Sequence, residues 1–140
     1  MASKEYERPL TVWGFLWSLP VTLVGIAAVL LSLPSLRLKE GMVICRSNRG
    51  LAYLLLTRRG FAAITLGRIL IVTKDLSLHL WHHEVEHARQ AQRWGVLFIP
   101  LYLVNQARYG YRSNPFEVAA RRVADSFKAD NPNIAELVID

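Results

Sequence analysis

The pattern of hydrophobic and polar positions shows a long uncharged run near the start of the chain. Residues Leu10–Leu33 contain no charged side chain over 24 positions. As one helix they would be about 36 Å long, which exceeds the roughly 30 Å hydrocarbon core of a bilayer. Trp13 and Trp17 lie near one end, as interfacial aromatics often do, and Pro20 and Gly25 are interruptions that membrane helices tolerate. The run therefore predicts one membrane-spanning helix after a short polar tail.

Two other interpretations of this run stay open. A secretory signal peptide would take Lys4 and Arg8 as its basic start, although the run is long and no A-x-A-like cleavage site follows it. A buried helix or hairpin would break at Pro20. Glu5 and Glu7 balance the two cations before the run, whereas mainly basic residues follow it. Because cytoplasmic loops are basic, this predicts a single-pass membrane protein with its C-terminal domain in the cytoplasm.

The rest of the chain predicts one domain, so we expect a tail and span in residues 1–34 and a folded domain in residues 35–140. Four short apolar and partly β-branched runs, separated by turns that contain glycine, begin this domain. Such runs are typical of strands in a meander or hairpin and predict a small antiparallel sheet. The predicted strands are Met42–Arg46, Leu51–Leu56, Phe61–Leu66 and Arg68–Thr73.

The apolar spacing then changes to a helical period. It predicts a helix from Leu76 to about Trp94, with Asp75 or Ser77 as its N-cap and Gly95 just past its end.

Two further segments complete the pattern. Val96–Val104 is apolar but too short to span a bilayer, so it is either core packing beneath the helix or an apolar surface against lipid. The polar residues 105–114 predict a loop. Asn114 can then cap a last helix, with Pro115 at its first position, that runs through Phe127. Together these elements predict an α+β fold.

Charge bears on the choice of partners. The formal net charge is +6, and between Ser35 and Arg68 seven basic side chains accompany one acid, Glu40. No nucleic-acid motif goes with them, so nucleic acid is not an expected partner, and beside an apolar run membrane lipid is the more natural one. The single cysteine, Cys45, excludes an intramolecular disulfide.

Candidate chemistry concentrates on the first predicted helix. All four histidines fall between His79 and His87, and residues 83–87 read H-E-V-E-H. On a helix, His83 and His87 lie one turn apart on one face, so both imidazoles can bind one metal ion. Glu84 can reach a water on that metal and act as a general base. Two imidazoles, completed by a carboxylate ligand, suit Zn²⁺. His and Glu are also ordinary on a solvated helix, so the motif alone is not decisive.

A third ligand is needed for such a site. Metzincins use a histidine six residues after the motif, but Arg93 stands there and no histidine follows His87, which excludes that pattern. Glu117 is the only Asp or Glu between His87 and Asp125, and it lies in the first turn of the last predicted helix. A packed antiparallel helix would aim it at the metal, although an acid in a first turn also favours the helix dipole. We therefore predict His83, His87 and Glu117 as zinc ligands.

Three further motifs accompany H-E-x-x-H. Together the motifs read Thr65-Leu66-Gly67, His83-Glu84-Val85-Glu86-His87-Ala88-Arg89-Gln90, Trp94-Gly95-Val96-Leu97-Phe98-Ile99-Pro100-Leu101-Tyr102-Leu103 and Asn114-Pro115-Phe116-Glu117-Val118-Ala119-Ala120. With these motifs the chain resembles gluzincin-type zinc metallopeptidases, in particular minimal single-domain ones and a set of small bacterial proteins with the same motifs. The resemblance covers roughly residues 62–125. It implies a zincin-like fold whose sheet lies over the active-site cleft, with Phe61–Leu66 or Ile69–Val72 as an edge strand that pairs with an extended peptide.

The chain departs from the gluzincin pattern at two places. The position of the Asp that orients a ligand histidine in that family is Arg121 here, and Asp125 is the nearest substitute. The family also uses a later His or Tyr to stabilise the oxyanion, and no later His exists. Tyr109, Tyr111 and Arg112 are the candidates, of which Tyr111 is our predicted catalytic residue.

The sequence thus predicts a membrane-anchored zinc metallopeptidase with a peptide or protein substrate and Glu84 as its general base. One alternative is a catalytically weak or inactive zincin-fold module that interacts with the membrane and keeps a structural zinc. Another is that the histidine cluster is incidental on a small membrane protein.

Overall fold

The computed structural model describes residues 4–31, 35–47, 49–50, 54, 56, 60–73 and 75–133. The fold is α+β, and single 3₁₀ turns stand at Glu5–Glu7 and Gly95–Leu97. The helices and strands of the described residues are α1 (Val12–Trp17), α2 (Leu19–Leu30), β1 (Ser35–Lys39), β2 (Met42–Arg46), β3 (Ala63–Leu66), β4 (Ile69–Val72), α3 (Leu78–Trp94), α4 (Phe98–Ser113) and α5 (Pro115–Asp130).

The predicted membrane span is wrong. The backbone at Ser18 (φ −86°, ψ 2°) separates the six residues of α1 from the twelve of α2. Pro20 falls at the start of α2, a position that suits proline and favours a new helix there. A helix as short as α2 measures about 18 Å, whereas a hydrocarbon core is about 30 Å thick. No helix in the part of the chain described here is long and apolar enough to cross a membrane, so the predicted single-pass localisation is also wrong.

The two N-terminal helices instead pack on the rest of the fold. α1 lies against α3, and α2 lies over the β3–β4 hairpin. The face that α2 buries is made of Val21 and the small residues Thr22, Gly25 and Ala28. A Cβ atom on Gly25 would stand 2.8 Å from the Cβ of Ile69, so only glycine allows this close approach. Small side chains therefore hold α2 on the sheet.

The sheet is mixed, so the prediction of an antiparallel sheet is wrong. Its strand order is β1-β2-β4-β3. β1 pairs with β2 and β3 with β4 in antiparallel fashion, but β2 and β4 are parallel. The reason is that β3 lies at the far edge of the sheet and β4 returns between β2 and β3. A meander assumes instead that successive strands are neighbours. The predicted strand Leu51–Leu56 lies mostly outside the described residues.

Each face of the sheet supports a different layer. One face carries Met42, Ile44, Leu70 and Val72 and packs on Trp81 and Val85 of α3. The opposite face carries Cys45, Ile69 and Ile71 and packs on Ala28 of α2. Four fully buried alanines, two on α3 and two on α5, allow these two helices to pack closely. Helix α3 is thereby fixed between the sheet and α5.

The N-caps of α3 and α5 lie where the sequence predicts them, whereas the segment between these two helices differs from its prediction. Ser77 caps α3 by accepting a hydrogen bond from the Leu80 amide, and Asn114 caps α5 by accepting one from the Phe116 amide. The loop predicted for residues 105–114 is wrong, because α4 continues to Ser113. Its one irregular position is Gly110 (φ 73°, ψ 169°).

A matched pair of glycines tests the α2–hairpin packing. Gly67 and Gly60 both have positive φ, but a Cβ on Gly67 would stand 2.8 Å from the Thr22 backbone nitrogen, whereas one on Gly60 meets nothing described within 4 Å. We expect Gly60→Ala to cost about 1–2 kcal/mol of unfolding free energy from its backbone alone. Gly67→Ala should cost about 1–3 kcal/mol more, from overpacking. Urea denaturation measures both, and equal losses would contradict this packing.

Candidate metal site

Three predicted ligands come together between α3 and α5. His83 and His87 lie one turn apart on the buried face of α3, and Glu117 lies in the first turn of α5. All three are buried, with exposed fractions of 8%, 7% and 3%. The Asn114 cap and Pro115 start α5 at this point, which is why Glu117 meets the histidines.

The distances among the side-chain nitrogen and oxygen atoms of His83, His87 and Glu117 suit one metal ion. His83 Nε2 is 3.3 Å from Glu117 Oε2, His87 Nε2 is 3.2 Å from Glu117 Oε1, and the two Nε2 atoms are 3.2 Å apart. In a tetrahedral zinc site with bonds of about 2.0–2.2 Å, two ligand atoms stand about 3.3–3.6 Å apart. Glu117 Oε2 also lacks a well-aligned hydrogen bond among the described residues, although it is buried. The donor set and its spacing therefore fit zinc.

Glu117 is held as a carboxylate. Burial by itself would raise the pKa of Glu117, but contacts with His83, His87 and Tyr102 outweigh it and hold that pKa well below its usual range. Tyr102 donates a hydrogen bond of 2.7 Å to Glu117 Oε1. An ionised ligand is therefore ready for a cation at neutral pH.

The pKa of His87 is shifted in the opposite direction to that of Glu117. Burial disfavours its charged form, but the neighbouring carboxylates of Glu117 and Glu84 outweigh that effect and raise the pKa of His87 above the usual value. In the metal-free chain a proton therefore competes for this imidazole.

Glu84 lies beside the ligands and is 4% exposed. Its Oε2 accepts a hydrogen bond of 2.7 Å from the Thr65 hydroxyl. Thr65 reaches it because alternate residues of β3 point to the face of the sheet that covers α3. This bond fixes one carboxylate oxygen of the residue predicted as general base.

An open cavity of about 310 Å³ adjoins the ligands. Strand β3 forms one of its walls and α4 another, and most of its lining is apolar. The lining residues are Leu56, Phe61, Ala63, Ile64, Thr65, Leu66, His83, Glu84, His87, Phe98, Ile99, Tyr102, Leu103, Gln106, Tyr111 and Glu117.

Tyr111 is the one oxyanion candidate of the sequence that lines this cavity. Its ring lies 5.5 Å from that of Phe61, which also lines the cavity. Burial, followed by the charge of Glu117, raises the pKa of Tyr111 to about 12, so its hydroxyl is protonated at neutral pH. Tyr109 does not line the cavity, and its ring lies on the surface beneath the Arg108 guanidinium.

Asp125, which the sequence offers in place of the Asp that orients a ligand histidine in gluzincins, does not contact the predicted ligands. Asp125 contacts His79 at 2.9 Å, near the surface. Arg121 stands nearer, with a guanidinium nitrogen 3.9 Å from Glu117 Oε2, and also donates to the Arg112 carbonyl.

Sequence reasoning did not assign roles to Tyr102 and Thr65. Tyr102 fell within a segment predicted as core or lipid-facing, and its contact with Glu117 depends on how α4 packs on α5. Thr65 belongs to a motif of the family resemblance, which was the available signal for its role.

The comparisons with known proteins add no relative. No protein-family model matches the chain, and no curated protein or solved structure matches it significantly.

The site predicts zinc binding that weakens in acid. Lowering the pH through the raised pKa of His87 protonates a ligand nitrogen, whereas Glu117 stays ionised because its pKa is depressed. We expect zinc to raise the thermal unfolding midpoint more at about pH 8 than at about pH 6. His79→Ala, on the same helix outside the ligand group, should keep the effect, and His83→Ala should lose it. A zinc effect that grows in acid would contradict the assignment.

Proposed function

We propose that the chain is a zinc-dependent metallopeptidase of the gluzincin type. The observation that carries the proposal is a buried two-histidine, one-carboxylate set on the wall of an open cavity, with Glu84 beside it. Structural zinc sites have four protein ligands, whereas catalytic sites keep a position for water or substrate. The described residues offer three such ligands at this place, which favours a catalytic site.

The substrate we propose is an extended polypeptide bound along β3. Leu66 pairs with Ile69 across a two-residue turn, and the Thr73 amide bonds to the Ala62 carbonyl. Pairing alternates along an antiparallel ladder, so the backbone groups of Ala63 and Thr65 point away from β4. Among the described residues no backbone partner takes these groups, which leaves them available for ladder hydrogen bonds with a peptide. The apolar cavity beside them suits an apolar side chain.

The proposed reaction assigns a step to each polar group. Bound zinc would supply Lewis-acid polarisation of the scissile carbonyl and make the attacking water more acidic. Glu84 would accept the proton of that water and deliver it to the leaving amine, a role typically worth about 10²–10⁴-fold in rate. The Tyr111 hydroxyl would donate a hydrogen bond to the oxyanion as it develops.

A test of the general base has a matched control on the same helix. Glu84→Gln should keep the bound zinc, because His83, His87 and Glu117 remain, and should lower peptide cleavage by about 10²–10⁴-fold. Glu86→Gln should change cleavage little, because Glu86 pairs with Arg89 and does not line the cavity.

Cleavage of a peptide library and zinc content are measured on the same samples. Zinc retained by the wild type without any cleavage would refute the peptidase and support a structural zinc module instead.

Tyr111 is tested by removal of its hydroxyl. Tyr111→Phe should lower kcat and leave KM nearly unchanged, because its hydrogen bond forms only in the transition state; single donors of this kind are typically worth about 10²–10³-fold. Tyr109→Phe is the matched control and should act like the wild type. A rise in KM alone would assign Tyr111 to substrate binding rather than to oxyanion stabilisation.

A further inference from the structure

Gln90 connects the two helices that carry the ligands. It lies on α3, three residues after His87, and is 7% exposed. Its side chain makes two hydrogen bonds, each 2.9 Å long. Oε1 meets His87 Nδ1, and Nε2 donates to the backbone carbonyl of Phe116, the residue before Glu117.

The Phe116 carbonyl determines which way this amide points. A backbone carbonyl only accepts hydrogen bonds, so the NH₂ group of Gln90 must face it. The amide oxygen then faces His87 Nδ1, and that nitrogen must carry the proton. The lone pair of the neutral imidazole is thereby left on Nε2, the atom that lies 3.2 Å from Glu117 Oε1.

We propose that Gln90 is a positioning residue of the metal site, an inference that rests on the proposed zinc function. It fixes the tautomer and ring orientation of His87 through its oxygen. Through its nitrogen it ties the start of α5, and therefore Glu117, to α3. Outer partners of this kind commonly orient metal-binding histidines, although most are carboxylates or backbone carbonyls.

The neighbouring acid and cation do not fill this role. Asp125 is engaged with His79, and Arg121 has only hydrogen-bond donors, so it cannot accept a hydrogen bond from an imidazole. Instead, the neutral side-chain amide of Gln90, which lies on α3 like His87, accepts the hydrogen bond from His87 Nδ1.

The first experiment measures zinc and cobalt affinity by competition with a chelator. Gln90→Met has nearly the same shape but lacks both hydrogen bonds, and we expect it to bind about 10–100-fold more weakly. Gln90→Glu keeps an acceptor for His87 and should bind more tightly than the Met variant. Gln92→Met is the matched control, since Gln92 accepts a hydrogen bond from the Thr11 amide, away from the ligands.

The cobalt absorption spectrum separates positioning from general stability. An altered spectrum in Gln90→Met, with a wild-type spectrum in Gln92→Met, supports the proposal. Wild-type affinity and spectrum in Gln90→Met would overturn it. An equal loss in the Glu and Met variants would overturn the part that assigns the effect to His87.

A second measurement needs no variant at position 90 and no metal. Nitrogen-15 NMR of the metal-free chain, at a pH where the imidazole is neutral, reports which ring nitrogen carries the proton. The His87 signals are identified by their absence from His87→Ala. A proton on Nδ1 supports the role of Gln90, and one on Nε2 overturns it. If the wild type binds no zinc, the proposed function fails, but this measurement still decides the Gln90 assignment.

Discussion

The contact of one buried carboxylate with two buried imidazoles is the interaction on which the site depends. An isolated charge at the position of Glu117 would be costly, because burial favours the neutral acid. His83, His87 and Tyr102 compensate for that cost and keep the group ionised. The helix pair α3–α5 therefore brings a buried carboxylate next to two buried imidazoles, a set that one divalent cation could bind.

The sequence was sufficient where local rules decide the outcome. The i, i+4 spacing placed His83 and His87 on one face, and the Asn114 cap with Pro115 placed Glu117 in a first turn. These features depend on a few adjacent residues, so they could be predicted without the fold.

The errors have tertiary causes. Hydropathy shows that residues 10–33 are apolar and uncharged. It does not show that the backbone leaves the helical conformation at Ser18, or that small residues of α2 pack against a sheet. The parallel β2–β4 pair depends on a crossover between distant segments. The contact between Thr65 and Glu84 depends on which face of β3 covers α3, and a shift of one residue would turn that hydroxyl away.

Thr65 also lies on β3, an edge strand of the sheet in the described residues, and for the proposed peptidase this has a consequence for cleavage patterns. Successive side chains of an extended peptide point in opposite directions, so a peptide on β3 can slide only in steps of two residues and keep the same face toward the cavity. Alternative cuts within one substrate would then differ by an even number of residues. The lengths of the fragments would thus record the geometry of a single strand edge.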